Sequence, residues 1–316
     1  MRSAPALAIL RHVTAAGLLL LVSACALVAP AADKKVLLIA GLPSHAPGAH
    51  EHNAGMLLLQ KCLAGVPGLK TEVTLNGWPK DNATLAGFDA VFIYCDGGDK
   101  HVALQGDHLQ VLDALAARGA GIGFLHYAVE PTIAKGQAEF IRWVGGCFEI
   151  NWSINPTWEA NFKSLPAHPI SRGVRPFTAR DEWYFHLRFA DGLTGVTPLL
   201  VDVPTAAATL TRADGPHAGN PAARAAVARH DPQTVAWCFE RPGGGRGFGF
   251  TGGHYHSNWG NDDLRKLVLN AIVWTAKLEV PAGGVASTVS AEELAVNLDP
   301  KTPRKARPPA ADRPTQ

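Results

Sequence analysis

Between residues 34 and 126 the chain alternates two apolar patterns. Short continuous runs, "KKVLLIAG" ending at Gly41, "FDAVFIYCDGG" and "GIGFLHY", suit strands buried on both faces of a parallel sheet. "LKTEVTL" reads as a further, less apolar strand. Two segments have the spacing of helices. "NAGMLLLQKCLAG" is closed by Gly65, and "DHLQVLDALAARGAG" sets Leu109, Leu112 and Leu115 on one face and ends at Gly119. This β-α-β-β-α-β order predicts an α/β domain, a doubly wound and mostly parallel sheet flanked by helices. Ligands of such sheets sit beyond the carboxyl ends of the strands, so chemistry is expected in the loops after Ala40, Tyr94 and Leu125.

From about Gly145 to Val203 the pattern turns irregular and rich in Trp, Pro and His, an elaborated middle segment. "TPLLVD", "AAATLTR", "TVAWCFE" and "GRGFGFTGG" read as later strands. The last helix, "NDDLRKLVLNAIVWTAKL", starts at an Asn261 cap, with Asp262 and Asp263 at its positive end. There is no internal repeat, and residues 34–280 are expected to form one domain.

The two ends differ from this body. Arg2 and Arg11 precede "VTAAGLLLLV", too short to span a bilayer but right for the core of a signal peptide over residues 1–25. That run closes on "VSAC". A lipobox reading makes Cys25 a lipidated cysteine; ordinary cleavage near Ala24 would leave it incidental. Either way the expectation is an exported bacterial protein, periplasmic or anchored to the outer membrane as a lipoprotein, touching membrane through the lipid alone. Residues 298–316, rich in Pro and charge, are expected to be a disordered tail.

The 29 basic and 27 acidic residues leave a formal charge of +2, which offers no electrostatic case for nucleic acid. Cys62, Cys95, Cys147 and Cys238 have apolar or small neighbours and no CxxC spacing, so buried free thiols are expected. The 13 histidines are unevenly placed. They gather in "PSHAPGAHEHNAG" (His45, His50, His52, beside Glu51), at His126 in "GFLHYA", and in "TGGHYHSNWGND" (His254, His256). "RDEWYFHLRF" adds Asp181, Glu182, Tyr184 and His186. Imidazole suits both divalent metals and proton transfer near neutrality, and a catalytic zinc commonly takes three protein ligands. His108, His168 and His230 read as surface residues and His45 and His101 as loop residues without chemistry. His126 as a core histidine and Glu182 as a carboxylate bridging to Arg180 or Arg188 stay open beside their functional readings. Trp152, Trp158, Trp183 and Trp259 lie near polar loops, where one could serve as a platform for a sugar ring.

"VLLIAGLPSHAPGAHEH", "FDAVFIYCDGG", "GIGFLHYA", "HPISRGV", "DEWYF" and "GFGFTGGHYHSNW" together resemble the ThuA-like (trehalose utilisation) family, over roughly Lys34 to Leu278. The resemblance implies a fold like class I glutamine amidotransferases, whose cysteine nucleophile stands where this chain has His126. Without that cysteine, glutamine hydrolysis through a thioester is not expected. His254 would fall where that fold supplies its catalytic histidine. The resemblance also implies metabolism of disaccharides or their 3-keto forms, alongside a sugar dehydrogenase of the same pathway. The expected site has His126, His254 and Glu182 as catalytic and metal-binding residues, a first-loop histidine standing as the alternative to Glu182. The metal is a divalent ion such as zinc. His52, Tyr184, His256 and Trp259 are expected at the substrate, with His52 facing Glu182. The reaction would be metal-assisted hydrolysis or lysis, or isomerisation; a non-catalytic carbohydrate-binding lipoprotein is the alternative.

Overall fold

A central sheet of seven strands organises the protein in the computed structural model, which describes residues 32–302. Along the chain come β1 (Lys34–Ala40), α1 (His52–Leu63), β2 (Leu69–Thr74), β3 (Ala90–Tyr94), α2 (His108–Ala117), β4 (Gly121–Leu125) and α3 (Gln137–Val144). The middle segment contributes β5 (Gly146–Cys147), β6 (Trp158–Phe162), β7 (Phe177–Asp181) and β8 (Arg188–Phe189). There follow β9 (Val196–Asp202), α4 (Ala206–Thr209), α5 (Pro221–Ala228), β10 (Gln233–Glu240), β11 (Arg246–Phe250), α6 (Asp262–Thr275) and α7 (Ala291–Leu294). The sheet order is β2-β1-β3-β4-β11-β10-β9. From β2 to β11 neighbours are parallel, while β10 is antiparallel to both β11 and β9.

Side-chain alternation explains why the parallel strands read as unbroken apolar runs. Val36, Leu38 and Ala40 of β1 enter a core with α1 and α6, whereas Leu37 and Ile39 enter one with α2 and α3. In α6, Leu264, Leu267, Val268, Leu269, Ile272 and Val273 are fully buried. At about 1.5–3 kcal/mol per large apolar side chain, this helix is a principal clamp on the sheet. Its cap is the expected one, Asn261 accepting the Asp263 and Leu264 N–H groups. Gly123 in β4 permits close packing, since a Cβ there would lie 2.3 Å from the Phe92 ring. Cys62, Cys95, Cys147 and Cys238 are buried and free, as expected.

Three expectations are corrected. "AAATLTR" contains helix α4 instead of a strand: three alanines in succession favour helix, and no strand partner reaches them. Trp158, Trp183 and Trp259 are core residues, and Trp152 packs against His186 and under the Arg188 guanidinium, so none of the four is a cavity platform. The region from residue 298 is ordered at its start, where Asp299 and Lys301 bind the loop before α1. Residues 1–25, with Cys25, and those beyond Thr302 lie outside the described residues. Among the described residues no helix is long and apolar enough to cross a membrane.

Candidate functional site

Loops at the carboxyl ends of β1, β3, β4 and β11 meet over the sheet, joined by the turn after β7. They enclose a cavity of about 750 Å³ lined by Ser44, His45, Asp96, Glu182, Tyr184 and His254 among others. His126 is the first residue beyond β4 and has φ +54, a left-handed conformation unfavourable by roughly 1 kcal/mol for a residue with a Cβ. That elbow lifts the ring off the strand end. Its Nδ1 lies 2.8 Å from the Thr251 carbonyl just past β11, which therefore accepts the Nδ1 proton and leaves a lone pair on Nε2.

His50 is held the same way. Its φ is +50, its backbone N–H donates to the His254 carbonyl at 3.0 Å, and its Nδ1 lies 2.9 Å from Asp96 Oδ1. A hydrogen bond from Ser44 Oγ at 2.7 Å steadies Asp96. The Nε2 lone pair of His50 thus also points inward. The two Nε2 atoms stand 3.1 Å apart, and His254 Nδ1 lies 3.0 Å from one and 3.3 Å from the other. Glu182 Oε2 completes the cluster, 3.1 Å from His254 Nδ1 and 3.8 Å from His126 Nε2. Asn155 Nδ2 donates to the other Glu182 oxygen at 3.3 Å.

The contact between the two Nε2 acceptors is not itself a hydrogen bond. Two acceptor nitrogens at 3.1 Å repel unless a proton or a cation lies between them. Burial, reinforced by the neighbouring imidazoles, drives the pKa of both His50 and His126 far down, which disfavours the proton. The cation remains. Tetrahedral zinc with bonds of about 2.1 Å would space its ligand atoms about 3.3–3.4 Å apart, close to the separations seen. His50, His126, Glu182 and His254 fit a divalent metal in donor type, spacing and tautomer. The carboxylate behind His50 and the carbonyl behind His126 are the orienting partners such ligands need.

One further carboxylate builds the site without touching the cavity. Asp181, fully buried at the end of β7, accepts N–H groups from Glu182 (2.8 Å) and His254 (3.1 Å) on Oδ1, and from Gly253 (2.6 Å) and Asn258 Nδ2 (2.9 Å) on Oδ2. Burial raises its pKa while these donors oppose the rise.

The expected residues divide clearly. His126, His254 and Glu182 come together, and His50 is the first-loop histidine that joins them. Tyr184 lines the cavity, its hydroxyl 3.2 Å from His126 Nε2. His52, His256 and Trp259 do not reach the cavity. His52 is the first residue of α1, fully buried with Nδ1 at the Leu42 carbonyl, one ring behind His50, since residues two apart in this turn do not share a face. His256 and Trp259 pack in the turn ahead of α6. His101, expected in an idle exposed loop, is instead fully buried between the Ala128 carbonyl and the Ala103 N–H. Sequence reading missed Asp96, although its place directly after the β3 run was a signal. It also missed Glu130 and His217, which pair at the cavity edge, and Lys301, whose ammonium reaches the Ala49 and His50 carbonyls and Glu51.

The fold and site define an α/β protein with a histidine–carboxylate centre over the carboxyl edge of a mostly parallel sheet. The chain belongs to the ThuA family, described as trehalose utilisation, which matches residues 36–275. Two solved structures share the fold. A ThuA-like protein from Bacteroides uniformis is 14% identical with a TM-score of 0.52, covering 78% of this chain and 93% of its own. One from Parabacteroides merdae is 13% identical with a TM-score of 0.51, covering 82% of this chain and 94% of its own. Among curated protein sequences none matches. The family implies a sugar-related small-molecule substrate.

Proposed function

We propose that this protein is a divalent-metal enzyme of carbohydrate metabolism that acts on a disaccharide carrying a ring carbonyl, a 3-keto-sugar, by removing the acidified proton beside that carbonyl. Isomerisation and eliminative cleavage of a glycosidic bond both begin with that step. The observation that carries the reading is the pair of inward lone pairs on His50 and His126, 3.1 Å apart with both Nδ1 protons committed elsewhere. A cation bound there would polarise the carbonyl oxygen and stabilise the charge that develops on it. Glu182 and His254 complete its ligands, Tyr184 offers a hydroxyl beside them, and the cavity has room for a sugar ring. No cysteine stands at the elbow, which agrees with chemistry other than glutamine hydrolysis.

Export by residues 1–25, with Cys25 as a lipid anchor, and a dehydrogenase supplying the keto-sugar belong to the same proposal. The test is zinc titration of tag-free protein, followed by incubation with trehalose and 3-keto-trehalose, with and without zinc, read by mass spectrometry and chromatography. The expected result is one zinc per chain and conversion of the keto-sugar only. Binding of sugar without conversion under every condition would select the carbohydrate-binding alternative.

A further inference from the structure

If four side chains are committed to the metal, the proton must be moved by a group that is not a ligand. The lining of the same cavity supplies one. His217, on the loop between α4 and α5, lines the cavity with one third of its side chain exposed, while Glu130 behind it is buried. Nε2 of His217 lies 2.9 and 3.1 Å from the two Glu130 oxygens, so the carboxylate takes the Nε2 proton in a bifurcated hydrogen bond. Nδ1 has no hydrogen-bond partner among the described residues. The ring is held flat on Phe148, with centroids 5.4 Å apart, and meets the edge of Tyr127. Glu130 is itself locked in place: a Cβ on Gly97 would fall 2.8 Å from its Cβ and 2.5 Å from the Tyr127 carbonyl. A buried carboxylate fixing one imidazole nitrogen, with the other open to a cavity, is the arrangement of a tuned base and its orienting partner.

We propose that His217 is the proton-transfer residue of this site and Glu130 its positioning residue. The inference rests on the function proposed above, because it needs a carbonyl-bearing substrate beside the histidine cluster. In the step, Nδ1 takes the proton from the carbon next to the carbonyl. The C–H pair becomes a carbon–carbon double bond, and the carbonyl π pair moves onto its oxygen. The imidazolium, paired with Glu130, then gives the proton to the former carbonyl carbon, while the hydroxyl on the first carbon passes its proton to the former carbonyl oxygen and becomes the new carbonyl, completing an isomerisation. In the eliminative case the imidazolium gives the proton to the oxygen that departs with the C–O bonding pair. Neither proton nor electron is left over. The hydrogen bond to Glu130 raises the pKa of His217 against the opposing effect of burial, and burial raises Glu130 in turn. The other charged groups acting on the ring are Glu182 of the same cavity lining, which supports the rise, and Arg212 of the same loop, which opposes it.

The experiment uses the zinc-loaded full chain with 3-keto-trehalose in D₂O, measuring deuterium incorporation beside the carbonyl. His217→Ala is expected to lower the rate by about 100-fold or more, as loss of a general base does. Zinc affinity should stay within about twofold of the parent, and added imidazole should restore part of the rate. Glu130→Gln should move the rising limb of the pH–rate profile to lower pH, since the imidazole loses the carboxylate that makes it basic. Exchange in His217→Ala within about threefold of the parent overturns the assignment and leaves the metal reading intact. A loss that imidazole does not restore, or that comes with lost zinc binding, also overturns it. A parent protein that binds zinc but exchanges nothing sinks the proposed function together with this residue's role.

Discussion

Replacing Asp181 by Asn changes one atom out of reach of any substrate and should disturb stability and metal binding together. Each carboxylate oxygen accepts two N–H groups: Glu182 and His254 on Oδ1, Gly253 and Asn258 on Oδ2. An amide can present its oxygen to only one pair, and its NH₂ then faces two other donors. Two hydrogen bonds to a charged acceptor, at about 1.5–3 kcal/mol each, are lost on that side. Part of the loss, of order 1 kcal/mol, is recovered because a charge is no longer buried. We expect a net destabilisation of about 2 kcal/mol or more, lowering Tm by roughly 4–8 °C for a domain of this size. All four N–H groups position the Glu182 and His254 turns, the proposed ligands, so zinc affinity should fall by about 10–100-fold, as loss of an orienting partner does. Thermal unfolding of the metal-free protein and a chelator-competition titration measure the two effects separately. A Tm within about 2 °C of the parent, or zinc affinity within about threefold, would refute the role given to this carboxylate.

The remaining predictions concern single positions. His50→Ala should abolish stoichiometric zinc binding while His52→Asn retains it, an isothermal titration separating the ligand from the histidine behind it. Glu182→Gln keeps shape and removes the anionic ligand, so zinc should bind at least about 10-fold more weakly with little change in unfolding. His101, fully buried and with its pKa lowered to about 4 by burial, is neutral when folded but titrates near 6.5 when unfolded. It therefore contributes stability that is present above about pH 6.5 and is lost as pH falls toward 4, up to about 3 kcal/mol. Urea unfolding at pH 7 and pH 4.5 should show a smaller pH difference in His101→Gln than in the parent. Gly97→Ala, whose new Cβ would lie 2.5 Å from the Tyr127 carbonyl, should cost about 1–3 kcal/mol by the same measurement.

The sheet was legible because each parallel strand is buried on both faces, which writes itself into the chain as an unbroken apolar run. "AAATLTR" was misread because apolar content without β-branched density does not separate a short helix from a strand. The site was half legible. His126 and Glu182 stand directly after strands and His254 four residues beyond one, where topology predicts function, and Tyr184 is two residues from one of them. His50 and His52 could not be separated by pattern, because which one turns inward depends on a left-handed backbone at His50. His217 lies in "ADGPHAGNP", with no periodicity to place it, and meets Glu130 across 87 positions of sequence. Its pairing exists only in three dimensions.

The family match ends at residue 275, yet Lys301 holds the carbonyls of Ala49 and His50, and Asp299 donates its N–H to Glu51 and accepts from Asn53. The border drawn by ancestry and the border drawn by mechanics are therefore different. A chain trimmed where the likeness stops would keep its sheet but release the inner histidine's loop from its brace. The short run from Leu298 to Thr302 works as a buttress laid from outside the matched region, so the loop that carries His50 is set in part by residues the family description does not include.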